Sequence, residues 1–385
     1  KQIESANTVI VADTQKALEA LGAAGRDRSN ALRIAVTGSV GKTSIKEALA
    51  TIFSQFGGTH KSQKSFNNHL GAPITLATLP VEAEFGIFEL GMNHAGEISA
   101  LSKQVKPDIA LISNVVSVHL AHFDSEKDIA RAKAEIIDGL SPDGTLILNG
   151  DNPHTDFIKS LAGKRSVLTF GEATGCDVQI IRTEAHAAGG TVTLEVAGEE
   201  IDVTLSVPGE HWFYNSAACL AVAKAAGLDL TKAAKAMAEV GPAQGRGDSH
   251  ALTLSGKSFT LIDESYNANP TSMRAAFAAA SLRPGRKIAV LGDMGELGPK
   301  ELEFHAELAE PLEKAGFERI IFKGECMRVL RGAIPRMMRG AWTDSAEGVF
   351  SALKDEIKDG DIVLVKGSNA AGLGALVKKL KEGAH

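Results

Sequence analysis

One segment restricts the fold of this 385-residue chain more than any other, the run TGSVGKTS at residues 37–44. It follows the apolar run LRIAVT and precedes a stretch with helical character, so a buried strand enters a glycine-containing turn that opens a helix. Gly38 and Gly41 let the backbone approach an anion, and the free N–H groups at a helix N-terminus stabilise it. The sequence therefore predicts a phosphate-binding loop, with Lys42 directed at the β- and γ-phosphates and Thr43 at Mg²⁺.

The predicted loop departs from the usual spacing at one position. The pattern G-x-x-x-x-G-K would place a glycine at position 36, where Val36 stands. A second Gly-Lys pair, in LSGKS at residues 254–258, has no glycine-rich lead-in and lies between ALTL and FTLID. We predict that this second pair forms a hairpin turn and binds no phosphate.

Composition excludes several classes of function. The formal net charge is −6, from 41 Lys and Arg against 47 Asp and Glu, which argues against sequence-independent nucleic-acid binding. No stretch approaches the ~18 apolar residues that a membrane helix needs, so we expect no membrane insertion. The three cysteines, Cys176, Cys219 and Cys326, are odd in number and far apart, which favours free thiols in a reducing compartment.

Short apolar runs alternate with helical runs along most of the chain, as in a largely parallel sheet covered on both faces. The strand candidates of the first part are residues 32–38, 85–91, 107–115 and 145–153. Residues 176–208 instead alternate in the β manner, which predicts an antiparallel excursion at the sheet edge. The predicted fold class is α/β, with a central P-loop domain of mainly parallel sheet and a smaller C-terminal Rossmann-like domain.

The run GPAQGRGDS at residues 241–249 is the best candidate for a linker. We predict a central ATP-binding domain at 30–243 and a C-terminal domain at 244–385, the latter with strands FTLIDES, KIAVLGD, RIIFKG and DIVLVKG. Residues 1–29 read as a strand, TVIVAD, followed by a helix, and as the remnant of a preceding domain.

Four residues outside the loop are candidates for chemistry. Glu89 ends an apolar strand, where it would hold Mg²⁺ or be a surface charge. His119 and His122 follow another strand, at the edge where open α/β sheets bind ligands, although a single histidine is more often structural. Lys133 lies on a predicted helix, where a lysine is usually solvated. Carbamylation by CO₂ would turn its ammonium into an anionic metal ligand.

Several motifs follow the loop along the chain, namely FNNHLGAP (66–73), FELGMNHAGEI (88–98), SNVVSVHLAHF with AKAEI downstream, GEHWFYN (209–215), DESYNANPTSM (263–273), VLGDMGELG (290–298) and VKGS (365–368). These motifs and their order resemble those of the Mur ligases of peptidoglycan synthesis. The sequence differs from the usual family residues at Ser65, Trp212 and Asn369. The family's N-terminal UDP-sugar domain would precede TVIVAD, so we expect this chain to lack the main uridine-binding surface.

The resemblance implies an ATP-dependent amide ligase of the bacterial cytoplasm that acts in cell-wall synthesis as a monomer. YNANP, GDMGELG and ELGMN are most similar to members that add D-alanyl-D-alanine to UDP-MurNAc-tripeptide through an acyl phosphate. The amine acceptor is the open point, because folylpolyglutamate synthases and the diamino-acid-adding Mur ligase share the loop and metal residues. A nucleotide switch is the other alternative, but the guanine-specific N-K-x-D is absent.

The resemblance also implies roles for individual residues. The catalytic set is Lys42, Glu89, His119, Lys133 and Arg246. The metal ligands, for what we expect to be two Mg²⁺ ions, are Thr43, Glu89, His119 and carbamylated Lys133. The ATP-binding set is Thr37, Gly38, Ser39, Val40, Gly41, Lys42, Thr43, Ser44, Asn215 near adenine, Arg246 from the linker, and Asp263 or Glu264 at the ribose. The substrate-binding set is Asn67, Asn68, Tyr266, Asn267 and Asn269; an Asn-rich turn that caps a helix at Pro270 is a structural alternative for the last three and is compatible with this role.

Overall fold

The computed structural model of the chain describes residues 9–116 and 123–383, and these residues form two β-sheets. The first sheet has nine strands in the order β2-β3-β1-β4-β5-β6-β7-β8-β9. The strands are β1 Leu32–Thr37, β2 Thr59–Lys61, β3 Phe85–Glu89, β4 Ile109–Ile112, β5 Thr145–Asn149, β6 Ser166–Gly171, β7 Val178–His186, β8 Gly189–Val196 and β9 Glu199–Leu205. Pairing is parallel from β2 to β7 and antiparallel from β7 to β9, so the predicted antiparallel excursion at the edge is confirmed.

Helices cover both faces of the first sheet. They are α1 Thr14–Asp27, α2 Lys42–Ser54, α3 Gly71–Ala77, α4 Glu97–Val105, α5 Glu126–Ala134, α6 Thr155–Leu161, α7 His211–Ala225 and α8 Leu230–Ala236. The β1 side chains alternate between the two faces, since Ile34 and Val36 pack into the core with α2, α7 and α8, whereas Ala35 faces α3, α4 and α5. Burial on both faces explains why these strands are nearly continuous apolar runs in the sequence.

The second sheet has six strands in the order β10-β11-β15-β12-β13-β14 and is parallel except for β10. The strands are β10 Asp248–Leu254, β11 Lys257–Glu264, β12 Lys287–Gly292, β13 Phe317–Lys323, β14 Arg339–Thr343 and β15 Asp361–Lys366. The helices are α9 Pro270–Ser281, α10 Glu301–Ala306, α11 Ala309–Lys314, α12 Met327–Ala333, α13 Ala346–Glu356 and α14 Leu373–Glu382. The α/β fold class, with one large mainly parallel sheet and a second, smaller sheet, is thus confirmed.

The second Gly-Lys pair, in LSGKS at residues 254–258, forms the turn that the sequence predicts. Ser255 and Gly256, with φ of 53° and 77°, form the two-residue turn between the antiparallel strands β10 and β11. Both φ values are positive, as the hairpin turn that matches strand twist requires. The predicted hairpin is therefore confirmed, and no helix follows this pair.

The predicted strand TVIVAD is wrong over its described part. Residues 9–13 form no strand, and Val9 and Ile10 are 82% and 94% exposed. The run is apolar, but no neighbouring strand pairs with it in the described part of the chain, and an unpaired edge gains no ladder hydrogen bonds. The helix predicted after it is present as α1.

None of the helices within the described ranges combines the length and the apolar character needed to cross a bilayer.

Candidate active site

The candidate residues of the first sheet meet because they end parallel strands that are neighbours in space. Val36, at the end of β1, is the register partner of Glu89 on β3, and Thr37 is the partner of Ile112 on β4. The phosphate-loop segment, the Glu89 carboxylate and the turn after β4 therefore lie along one edge of the sheet. Open α/β sheets bind ligands at this carboxyl edge.

The loop between β1 and α2 has the backbone geometry of an anion-binding turn. Gly38 has φ of 150° and Gly41 has φ of 84°, both in the region that favours glycine. A Cβ atom at Gly38 would collide with the Ser113 hydroxyl, so the close approach of the two segments requires glycine there. Gly41 precedes α2 without a side-chain cap, which leaves the first N–H groups of the helix available to a ligand.

The Lys42 ammonium lies at the mouth of this loop and donates to the Gly38 carbonyl at 2.7 Å. Surrounding protein desolvates the group and thereby lowers the pKa of Lys42; the Glu89 carboxylate opposes this effect and Arg246 adds to it. Two cationic side chains, Lys42 and Arg246, thus line the same cavity and are close enough for their charges to interact. The same arrangement favours a polyphosphate placed between the two charges.

The Glu89 carboxylate is 1% exposed and lies directly behind the loop. Thr43 Oγ1 donates to Glu89 Oε2 at 2.9 Å, and Asn67 Nδ2 donates to Oε1 at 2.9 Å. A carboxylate and a hydroxyl at hydrogen-bond distance are the hard oxygen donors that Mg²⁺ prefers. The described residues therefore fit a magnesium ion at Thr43 and Glu89.

Lys133 is on α5, as the sequence predicts, but it is not on a solvated face. Its side chain is 2% exposed. Burial, with the Lys42 ammonium as a second cause, holds the pKa of Lys133 well below its usual range. A buried amine with a depressed pKa is the form of lysine that can react with CO₂, because only the neutral amine is a nucleophile. His119 and His122 lie outside the described residues.

A cavity of about 540 Å³ separates the loop from the second sheet. Lys42, Thr43 and Asn215 line it from the first part of the chain, and Arg246 and Glu264 line it from the second. Asn215 is 7% exposed, and its Nδ2 is a buried donor with no hydrogen-bond partner among the described residues. A ligand acceptor in the cavity would satisfy this donor.

Arg246 is attached to the second sheet although it belongs to the linker. Its guanidinium stacks on the Tyr266 ring, 4.5 Å from the centroid. The next residue, Gly247, donates to the Asp263 carbonyl at 2.9 Å, and Gly245 accepts from the Tyr266 amide at 3.2 Å. Arg246 therefore takes its position from the elements that follow it.

The two acids at the end of β11 differ in surroundings. Asp263 is 3% exposed, accepts from the Ser265 hydroxyl at 2.6 Å and pairs with Lys381 at 3.4 Å, whereas Glu264 lines the cavity. Lys366, from the adjacent strand β15, donates to Glu264 Oε2 at 3.1 Å. Glu264 therefore faces the cavity, whereas the Asp263 carboxylate is buried among protein partners.

The asparagines assigned to substrate binding are partly occupied by structural roles. Asn68 Oδ1 accepts from the Gly71 amide at 2.9 Å, and Asn269 caps α9 in a reciprocal pair with Ser272. Asn267 and Asn269 nevertheless line the cavity, whereas Tyr266 lies beneath Arg246. Thr37 is fully buried and donates to the Leu90 carbonyl at 2.8 Å, so its side chain faces β3 rather than the cavity.

Several residues that line the cavity have no site role in the sequence prediction, although Ser113, Asn114 and Lys366 belong to its motifs. Ser113, Asn114, Asn149, Asp151, Asn152 and Lys366 line the cavity. The signal for most of them is a polar run directly after a buried strand, SN after β4 and NGDN at β5. The carboxyl-edge rule applied to every predicted strand would have found them.

A group of metal-type ligands also lies outside the cavity, at Asp293, His305 and Cys326. The His305 ring accepts from the Met294 amide at 3.0 Å and hydrogen-bonds the Glu301 carbonyl at 2.7 Å, so both nitrogens have partners. Burial, with Asp293 as the next cause, raises the pKa of the Cys326 thiol to about 12 and keeps it protonated.

Comparison with known protein families matches two segments of the chain. Residues 36–223 match the Mur ligase middle domain, and residues 252–369 match the Mur ligase, glutamate ligase domain. The two segments cover the phosphate loop and most of both sheets.

Comparison with individual proteins and solved structures also finds similarity to Mur ligases. The UDP-N-acetylmuramoyl-tripeptide--D-alanyl-D-alanine ligase of Escherichia coli K12 is 34% identical over 381 residues, covering 97% of this chain and 82% of the relative. A crystal structure of MurF from Acinetobacter baumannii matches with a TM-score of 0.87 at 32% identity, covering 99% of this chain and 84% of that one. MurF from Thermotoga maritima in complex with ADP matches with a TM-score of 0.83 at 25% identity, covering 100% and 87%.

Proposed function

This chain belongs to the Mur ligase family, and on that premise we propose that it joins the carboxylate of UDP-MurNAc-tripeptide to the amine of D-alanyl-D-alanine with ATP. The observation that carries the proposal is the cavity between the phosphate loop and the second sheet. The Lys42 ammonium lies on one wall of this cavity and Arg246 on the other. Glu264 also lines the cavity and could accept hydrogen bonds from the ribose of ATP. The names of the relatives supply the substrates.

The proposed reaction has two steps. A carboxylate oxygen of the tripeptide attacks the γ-phosphorus of ATP, the bond from phosphorus to the β–γ bridging oxygen breaks, and ADP leaves. The amine nitrogen of D-alanyl-D-alanine then attacks the acyl carbon, the bond from that carbon to the phosphate oxygen breaks, and inorganic phosphate leaves while the amine loses a proton. Positioning and cationic charge account for most of the acceleration in phosphoryl transfer.

The residues of this chain have distinct parts in these steps. The N–H groups at the start of α2 and the Lys42 ammonium bind the terminal phosphates, and Arg246 neutralises charge from the opposite wall. Asn215 contacts the base and Glu264 the ribose hydroxyls. Asn67, Asn68, Asn267 and Asn269 position the peptide substrates.

Magnesium is part of the proposal, with Thr43 and Glu89 as ligands and with His119 and carbamylated Lys133 completing the set for two ions. The bound metal supplies charge neutralisation, which lets an anionic carboxylate approach an anionic phosphate. The hydrogen bond from Thr43 Oγ1 to Glu89 Oε2, at 2.9 Å, supports the assignment of these two residues as ligands, because it brings their oxygens close together.

We also propose that the functional domains divide at residues 29/30 and 243/244, that the enzyme is a monomer, and that it acts in the bacterial cytoplasm, where its nucleotide substrates are available. The separate cores of the two sheets support the second of these divisions.

The test is ATP-dependent phosphate release with UDP-MurNAc-tripeptide and a panel of amines. We expect release with D-alanyl-D-alanine and none with glutamate or diaminopimelate. Release with glutamate or diaminopimelate alone would instead support another Mur or folylpolyglutamate-type ligase. Slow ATP hydrolysis that no amine stimulates would support a nucleotide switch.

A further inference from the structure

Lys46 is a lysine that neither the sequence motifs nor the proposed reaction uses. It lies on α2 one turn after Lys42, and its side chain is fully buried. An ammonium group is expensive to bury unless charged and polar partners replace its water shell. The contacts of this group therefore indicate what it does.

The partners of the Lys46 ammonium come from three separate parts of the chain. Glu47 Oε1, on the same helix, lies 3.0 Å away, and Glu89 Oε2, at the end of β3, lies 3.7 Å away. The third partner is the Lys64 carbonyl, which accepts a hydrogen bond. One cation thus joins the phosphate-loop helix, the proposed metal carboxylate and the segment of residues 62–68, which we term the 62–68 loop.

The 62–68 loop is held against the end of β3 at both of its ends. Ser62 Oγ accepts from the Glu89 amide at 3.2 Å, and the Asn67 carbonyl accepts from the Gly91 amide at 2.8 Å. Between these contacts Lys64 has φ of 46°, a conformation that a non-glycine residue keeps only when its surroundings hold it. Lys46 supplies the contact at that point.

We propose that Lys46 is a positioning residue that holds the Glu89 carboxylate and the 62–68 loop in one arrangement. Through the loop it places Asn67 and Asn68, and through Glu89 it places the carboxylate that Thr43 and Asn67 contact. The inference rests on the proposed function, in which these asparagines position the peptide substrates. One of these is UDP-MurNAc-tripeptide, which supplies the carboxylate and is called the acid substrate below. Lys46 itself contacts neither nucleotide nor peptide, because its ammonium is fully buried among Glu47, Glu89 and the Lys64 carbonyl.

The decisive variant is Lys46→Met, which keeps the length of the side chain and removes its charge and donors. Lys61→Met is the matched control, because Lys61 pairs with the same Glu47 carboxylate but is partly exposed and has no contact with Glu89 or Lys64 in the described structure. We expect ADP affinity within about twofold of wild type in both variants, since the loop backbone and Lys42 bind phosphate. We expect Lys46→Met alone to lose at least about tenfold in kcat, with a raised KM for the acid substrate and an unchanged KM for ATP.

Hydrogen exchange gives a second readout that does not depend on turnover. Amides of the 62–68 loop should exchange at least about tenfold faster in Lys46→Met than in wild type, with α1 unchanged as an internal reference. Unchanged exchange in the loop, or wild-type kinetics in folded Lys46→Met, overturns the inference. If Lys46→Met does not fold, Lys46→Gln, which keeps a donor for the Lys64 carbonyl, takes its place, and wild-type kinetics in it overturn the inference equally. A wild-type enzyme that releases no phosphate contradicts the proposed function instead, and the exchange experiment still decides the role of Lys46.

Discussion

At the scale of single residues, Lys42 is the side chain whose charge the proposed chemistry needs most directly. We expect Lys42→Ala to lower kcat by about a hundredfold or more, because it removes a cation aimed at the charge that develops on the transferred phosphoryl group. The fold should persist, since within residues 9–116 and 123–383 the Lys42 ammonium makes one hydrogen bond, to the Gly38 carbonyl. Steady-state phosphate release and circular dichroism measure the two effects. Lys103→Ala, an exposed lysine on α4, is the control, and near-normal turnover of Lys42→Ala would contradict the loop assignment.

Lys133 leads to a prediction about covalent state. Its neutral amine should add to CO₂, with formation of a nitrogen–carbon bond and release of one proton, to give an anionic carbamate. Incubation with isotopically labelled bicarbonate should produce a carbamate signal in wild type that is absent from Lys133→Met, and turnover should rise with bicarbonate only in wild type. An unlabelled wild-type protein, together with a fully active Lys133→Met, would rule the modification out.

The same lysine predicts how stability changes with pH when CO₂ is absent. Its pKa is depressed in the folded state, so between that value and the ordinary lysine value of about 10.4 the unfolded chain binds more protons than the folded one. The free energy of unfolding therefore rises with pH through this window, and the contribution is lost as pH falls. Urea unfolding in CO₂-free buffers should show a steeper rise in wild type than in Lys133→Met. Equal slopes for the two proteins would mean that the amine is not desolvated.

At the scale of elements, two adjacent acids end β11, and we propose that Glu264 binds the ligand and that Asp263 stabilises the fold. We expect Glu264→Gln to weaken ADP binding about tenfold, which is about 1.4 kcal/mol, and also to lower the free energy of unfolding, because the buried Lys366 ammonium loses its anionic partner. Asp263→Asn should lower the free energy of unfolding by about 1–3 kcal/mol, because its buried carboxylate has the Ser265 and Lys381 partners, and should leave ADP affinity unchanged. Calorimetric titration with ADP therefore distinguishes the two acids, and urea unfolding measures the structural effect of each change. Weaker ADP binding by Asp263→Asn alone would make Asp263 the ribose-binding acid.

The elements that the sequence predicted best are those whose pattern reflects burial on both faces. β1, β3, β4 and β5 are uninterrupted apolar runs because helices cover both sides of the sheet, and α2 follows its glycine turn. TVIVAD has the same composition but no partner strand among the described residues, and composition alone cannot report pairing. The short strand β2 and the edge strand β14 contain no apolar run, so the local sequence pattern did not predict them.

The candidate site was predictable to the extent that it follows from strand ends. Lys42, Thr43 and Glu89 belong to adjacent strands or to the turns that follow them, and their proximity follows from parallel pairing. Lys366 follows the same rule, because it ends β15 and is the register partner of Glu264 on β11. Lys46 could not be placed in this way, since its partner, the Lys64 carbonyl, is brought close only by the packing of segments that local patterns do not connect.

At the scale of the whole molecule, the cavity lies between two bodies with separate cores. The first body is the nine-stranded sheet with its helices, and the second body is the six-stranded sheet with its helices. The first sheet packs with α2, α7 and α8 on one face, whereas the second sheet forms its own core around residues such as Phe277 and Phe322. Arg246 should move with the second body, because its guanidinium stacks on Tyr266 and the neighbouring Gly247 amide donates to the Asp263 carbonyl. A triphosphate bound at Lys42 would therefore attract the second body through Arg246.

This coupling predicts that nucleotide and substrates favour domain closure. Solution scattering should show a smaller radius of gyration with a nonhydrolysable ATP analogue plus substrates than for the free protein, as in other enzymes that close around bound ligands. Arg246→Ala should bind the analogue through the phosphate loop but show less compaction, because the cation that faces the phosphates is gone. Lys314→Ala, an exposed lysine on α11, serves as the control for lost charge on the second body and should compact normally. A radius of gyration that ligands leave unchanged in wild type would mean that the two bodies already hold their working arrangement, and Arg246 would then act as a fixed charge rather than as a link between moving parts.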